Sequence, residues 1–123
     1  MAKRVMLIED EPSIIEAIRF ILSRDGWDVT AHSDGSTAAD VVALAQPDVL
    51  ILDAMLPGRS GFEILRDLRG RSETSGLPVL MLTAKGQGKD RALAEHYGAS
   101  RFMTKPFSNS EMLETVKVLA DGA

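Results

Sequence analysis

The chain has 123 residues, 45% of them hydrophobic and 26% charged, with a formal net charge of −4. That length can bury a core of its own, and so mild an acidity gives no general attraction to nucleic acid or to a membrane surface. Cysteine is absent, which excludes disulfides, thiolate metal sites and cysteine nucleophiles, and no apolar run nears the roughly 20 residues that span a bilayer.

In chain order, Lys3 and Arg4 precede an apolar run at 5–8 that is too short for a signal peptide, so a reducing cytoplasm is the expected location. The run ends in Glu9, Asp10 and Glu11. Pro12, a residue favoured in the first turn of a helix, is followed by Ile14, Ile18, Ile21 and Leu22 at helical spacing, as far as Asp25 and Gly26. Trp27, Val29 and Ala31 alternate with polar neighbours, which predicts a strand with one exposed face. After a turn at Ser33, Asp34 and Gly35, the residues Ala38, Val41, Val42 and Ala45 predict a second helix that Pro47 stops. Residues 49–52 are apolar throughout and run into Asp53, with Pro57, Gly58, Ser60 and Gly61 marking a tight loop behind it. A continuous apolar run between turn residues suits a strand buried on both faces of a parallel sheet.

Ser60 is placed to cap a third helix with Phe62, Leu65 and Leu68 inward, while Arg59, Arg66, Arg69 and Arg71 read as a solvated basic edge. Residues 78–82 predict a fourth strand, ending in Thr83, Ala84 and Lys85. The segment from Gly86 to Tyr97 is the weakest helix, with two glycines near its start and Ala92, Leu93 and Tyr97 as inward candidates. A short fifth strand at 101–103 leads to Thr104, Lys105 and Pro106. Ser108 and Glu111 then form a capping box for a last helix carrying Met112, Val116 and Leu119. Five strand–helix alternations predict a single α/β doubly wound domain over residues 1–123, with a parallel sheet, right-handed crossovers and helices on both faces.

Polar residues collect at the strand ends: Glu9 and Asp10 after the first, Asp53 after the third, Thr83 after the fourth and Lys105 after the fifth. Open α/β sheets bind ligands outside the carboxyl ends of their strands, and a carboxylate there is costly unless paired or metal-bound. In a doubly wound sheet whose first and third strands flank the switch point, Glu9, Asp10 and Asp53 would make a three-carboxylate cluster whose repulsion a cation relieves. Such an all-oxygen set suits magnesium. Lys105 adds a positive charge and Thr83 a hydroxyl, so the expected chemistry is phosphoryl transfer to Asp53, giving an acyl phosphate. Each signal has a plainer reading alone: an acidic helix start for Glu9 to Glu11, a turn residue for Asp53, core for Phe102. Their joint placement carries the functional reading.

Glu9-Asp10, Asp53 in DAMLPGRSG, Thr83-Ala84 and Lys105-Pro106-Phe107 resemble the receiver domain of two-component response regulators, and the resemblance covers essentially the whole chain. It implies a flavodoxin-like sheet of order 2-1-3-4-5. It also implies that Asp53 is the phosphoacceptor for a sensor histidine kinase or histidine phosphotransfer protein. Magnesium would be held by Asp10, Asp53 and the Met55 carbonyl, with Glu9 acting through water. Lys105 would pair with the phosphoryl group, Thr83 would move to hydrogen-bond it, and Phe102 would be the switch aromatic that follows. The Lys105-Pro106 bond would be cis, and Met55 and Lys85 would flank the phosphoryl group. The partner-binding surface would be the 86–97 helix, the fifth strand and the last helix.

Many DNA-binding members carry an acidic pair before the switch aromatic and basic residues on the last helix. This chain has Ser100-Arg101 there, with Thr115 and Lys117 on the helix, so any homodimer through that face would be weak and need other contacts, such as Arg91 with Glu111. Direct nucleic-acid binding is not expected, and the downstream target is either a separate partner or an output domain. Two other functions stay open. One is an interaction module of the same fold that works without phosphorylation. The other is a magnesium-dependent phosphohydrolase, although Ala54-Met55 after Asp53 lacks the second aspartate such enzymes use.

Overall fold

Two strands whose only polar residue is their last lie at the middle of one sheet: β3 (Val49–Asp53) and β4 (Val79–Thr83), buried at every position. The computed structural model describes residues 3–84 and 88–122. Around these strands, β1 (Arg4–Ile8), β2 (Asp28–His32) and β5 (Arg101–Thr104) complete a five-stranded sheet of order β2-β1-β3-β4-β5, parallel at every pairing. The helices are α1 (Pro12–Arg24), α2 (Gly35–Ala45), α3 (Gly61–Arg69), α4 (Gly88–His96) and α5 (Asn109–Ala120). This is the doubly wound architecture that the strand–helix alternation predicts. No described helix is long and apolar enough to cross a membrane.

The period of two along each strand divides the core into two layers. Val5, Leu7, Val49, Ile51, Leu80 and Leu82 face α1 and α5, meeting Ile18, Leu22, Met112 and Val116. Met6, Ile8, Leu50, Leu52, Val79 and Met81 face the other way, onto Ala38, Val42, Ile64, Leu65, Leu68 and Ala94. Each fully buried Leu or Ile contributes about 2 kcal/mol relative to its exposed state.

Local chemistry sets the helix starts. Asp34, Ser60 and Ser108 each accept a backbone hydrogen bond from the first turn they precede: from Ser36 at 2.9 Å, Glu63 at 3.2 Å and Glu111 at 3.0 Å. α1 has no side-chain cap and starts on Pro12, whose missing N–H would be unpaired there in any case. α2 ends at Gln46 in the left-handed conformation, with Pro47 next.

Four expectations shift. In α3 the inward residues include Ile64, while Phe62 is half-buried at the rim. In α4 the inward residue is Ala94; Ala92 is exposed, and Leu93 and Tyr97 are half-buried. That helix runs from Gly88 to His96, so of the expected 86–97 span Tyr97 lies past its end and residues 86 and 87 are outside the described residues. The basic edge is also mostly engaged inside the molecule. Arg59 and Arg71 bind Asp67 at 2.9 and 2.8 Å, and Arg71 also reaches Asp40 on α2 at 2.9 Å. Arg69 donates to the carbonyls of Gly98, Thr74 and Ser75.

Candidate functional site

Strand register brings the acidic residues together. Ile8 pairs with Leu52 across β1 and β3, so Glu9 and Asp53, one residue on, are neighbours at the carboxyl ends. Leu82 pairs with Asp53 across β3 and β4, and Thr83 pairs with Thr104 across β4 and β5, which puts Thr83 and Lys105 at the same end of the sheet. The Lys105 N–H donates to the Thr83 carbonyl at 2.7 Å, continuing that ladder past the strand. The Lys105-Pro106 peptide bond is cis, as the resemblance implies.

Glu9 is completely buried and Asp53 is 3% exposed, whereas Asp10 is exposed at the rim. Oxygens of the three carboxylates lie within 4.8 Å of one another. Glu9 Oε1 accepts from the backbone N–H groups of Asp10 and Glu11 at 3.2 and 3.3 Å, which fixes its side chain at the start of α1. Its other oxygen, Oε2, is buried with no aligned hydrogen bond among the described residues and faces the Lys105 ammonium at 3.0 Å. The same ammonium lies 3.4 Å from Asp53 Oδ1 and 3.9 Å from Glu11 Oε1.

The electrostatics follow from this crowding. Burial, then the Glu9 carboxylate, push the Asp53 carboxyl up to about 7, against the opposing pull of Lys105 and the Met55 backbone. Burial alone would lower the Lys105 ammonium, but hydrogen bonding and charge from Glu9 and Asp53 hold it above its ordinary value. Among the described residues, the carboxylates of Glu9, Glu11 and Asp53 share the Lys105 ammonium. An unaligned buried oxygen beside two further carboxylates is the donor set a hard, oxygen-seeking dication takes, so the residues present fit magnesium.

The loop from 54 to 60 that follows Asp53 is held at both sides. Gly35 donates its N–H to the Pro57 carbonyl at 3.3 Å, and Arg59 ties the loop to Asp67 on α3. At its end the Gly61 N–H donates to the Ala54 carbonyl at 2.9 Å, and a Cβ on Gly61 would overlap the Asp53 carbonyl oxygen. Only glycine lets α3 start this close to β3. The Met55 side chain is largely exposed beside the site, and Lys85 lies outside the described residues.

Thr83 is buried, and its Oγ1 donates to Asp90 Oδ2 in the first turn of α4 at 3.1 Å. Phe102 is half-buried on the α4 side of the sheet, and the Arg91 guanidinium carbon lies 5.1 Å from its ring centroid. The structure brings the predicted Glu9, Asp10, Asp53 and Lys105 together and sets Thr83 and Phe102 against α4; Glu11, Asp90 and Arg91 are further neighbours that the sequence pattern does not single out. The one sequence signal for Asp90 is an acidic residue near a helix start, which the helix dipole alone explains.

Known proteins share this fold. Residues 5–117 match the family described as response regulator receiver domain. A candidate response regulator from Chloroflexus aurantiacus J-10-fl is 28% identical with a TM-score of 0.94, over 98% of this chain and 99% of that one. The chemotaxis response regulator CheY4 of Vibrio cholerae is 28% identical with a TM-score of 0.89, over 97% and 99%. The receiver domain of sensor histidine kinase PA1611 from Pseudomonas aeruginosa PAO1 is 25% identical with a TM-score of 0.91, over 98% and 99%, and carries a magnesium ion in its active-site cleft. The chain therefore belongs to the response regulator receiver family, whose members signal in two-component systems with histidine kinases.

Proposed function

We propose that residues 1–123 form one receiver domain that accepts a phosphoryl group on Asp53 from a phosphohistidine of a sensor histidine kinase or histidine phosphotransfer protein. The observation that carries this reading is a buried carboxylate at a strand end, with an ammonium 3.4 Å away and two further carboxylates in metal-ligating reach. In the step proposed, an Asp53 carboxylate oxygen attacks phosphorus and a new O–P bond forms. The P–N bond to the donor histidine breaks, and the imidazole nitrogen keeps that electron pair. Asp10, Asp53 and the Met55 carbonyl would hold magnesium, with Glu9 acting through water; when bound, the ion neutralises charge on the phosphoryl oxygens.

Lys105 is already positioned by Glu9 and Asp53 to pair with a phosphoryl oxygen, and Thr83 supplies a hydroxyl from the neighbouring strand end. The product is a signal, not a turnover. A dianion on Asp53 shifts the population of the surface formed by α4, β5 and α5, with Thr83 and Phe102 as the switch pair, and a target or output domain reads the shift. The place of action is the cytoplasm, where histidine kinases are charged by ATP.

Intact-mass spectrometry after incubation with acetyl phosphate tests the reading. The expected result is one added phosphoryl group in magnesium, none in excess chelator and none in Asp53→Ala. No addition in any condition, with magnesium binding confirmed separately, would instead favour an interaction module that works without phosphorylation.

A further inference from the structure

The first turn of α4 touches the two proposed switch residues at once. Asp90 accepts the Thr83 hydroxyl proton at 3.1 Å, and its sequence neighbour Arg91 lies over the Phe102 ring at 5.1 Å. We propose that Asp90 and Arg91 form a latch that holds the unphosphorylated state, with the Asp90 carboxylate and a phosphoryl group on Asp53 competing for the single hydroxyl proton of Thr83. This rests on the reading of Asp53 as phosphoacceptor.

Three observations support it. A hydroxyl has one proton to donate, so a Thr83 that donates to Asp90 cannot at the same moment donate to a phosphoryl oxygen. Asp90 and a phosphoryl group are both anionic, so bringing Thr83 to one takes it from the other and repels the loser. And α4 is thinly anchored: Ala94 is its one buried residue among those described, against four in α3. A helix held by so little apolar contact is governed by its polar contacts, and two of those end on the residues expected to move. Capture of Thr83 by a phosphoryl group therefore releases the first turn of α4 directly, with no relay through the core. Release of Arg91 from Phe102 follows, because residues 90 and 91 share that turn.

The test compares the full chain with Asp90→Ala, Asp90→Asn and Thr83→Val. Amide hydrogen exchange over residues 88–104 is read in the unphosphorylated protein, and the initial rate of phosphoryl uptake from acetyl phosphate is read by intact mass. In Asp90→Ala the latch predicts faster exchange in the first turn of α4 before any phosphorylation, and uptake faster by about threefold to tenfold. Asp90→Asn keeps an acceptor oxygen and falls between it and the native chain.

Thr83→Val removes the donor without changing the sequence of α4, so it must raise α4 exchange as much as Asp90→Ala does, and the double variant must add nothing. If Asp90 merely steadied the helix dipole, Thr83→Val would leave α4 exchange at the native level, and that result overturns the latch. Native exchange in Asp90→Ala overturns it too. The unphosphorylated arm decides the latch by itself, whereas a native chain that takes up no phosphoryl group refutes the acceptor reading, so the two failures are distinguishable.

Discussion

The Lys105 ammonium lies closer to Glu9 than to Asp53, at 3.0 Å against 3.4 Å, and meets a Glu9 oxygen that is buried and has no aligned hydrogen bond among the described residues. Lys105 thus serves the resting fold as well as any transfer step. Removing one member of a buried ion pair leaves the other uncompensated, so Lys105→Met is expected to lose about 2–4 kcal/mol of stability in chelator. Magnesium among the same carboxylates should restore most of that loss without restoring phosphoryl uptake. Urea unfolding in chelator and in magnesium checks this; an equal loss in both media contradicts it.

Asp53 gives a pH signature with a definite sign. Its carboxyl is pushed up to about 7, above its value in an unfolded chain. The native state then holds a proton that the unfolded state has lost, so stability falls as pH rises from about 4 to about 7 and then levels off. Asp53→Asn removes that dependence. In chelator it should be more stable than the native chain by about 4 kcal/mol at pH 8, with no difference near pH 4. Unfolding curves across that range would reject this if the gap were constant.

Gly61 is fixed by space. A Cβ there would overlap the Asp53 carbonyl oxygen, while one on Gly76 would meet nothing within 4 Å. Gly61→Ala is expected to cost about 2 kcal/mol or more and to weaken magnesium binding by displacing the β3–α3 joint. Gly76→Ala should be within about 0.5 kcal/mol of the native chain. Thermal unfolding of the two variants side by side is the check, and equal melting points would refute the packing argument.

Arg69 joins α3 to two loops through Gly98, Thr74 and Ser75. Arg69→Ala is expected to cost about 1–3 kcal/mol, and Arg69→Lys should recover less than half, because an ammonium cannot reproduce the guanidinium fork. Chemical denaturation measures both; full recovery by lysine would show that charge alone matters there.

The fold and most of the candidate site were legible because each rests on a local pattern. Continuous apolar runs mark β3 and β4, and a polar residue behind each run marks the end of the sheet where the candidate site lies. Where the physics is long-range, the pattern was silent. Arg71 meets Asp40 across 31 positions and Arg69 meets Gly98 across 29, so a stretch of arginines that reads as a solvated edge is largely engaged inside the fold. Thr74, in a polar loop, is buried because its hydroxyl donates to the Leu68 carbonyl at 2.6 Å. In α4 the weak periodicity pointed at Ala92, but the chain presents Ala94 to the core. The Thr83–Asp90 contact follows from how α4 lies on the sheet, which spacing alone does not determine.

The most direct test of the central claim is to locate the phosphoryl group chemically. After incubation with acetyl phosphate and magnesium, borohydride reduces an aspartyl acyl phosphate to homoserine, which peptide mass spectrometry places in the sequence. Homoserine is expected at position 53 alone, absent in chelator and in chains carrying Asp53→Asn. Homoserine at position 10, or none in a chain shown to bind magnesium, would contradict it.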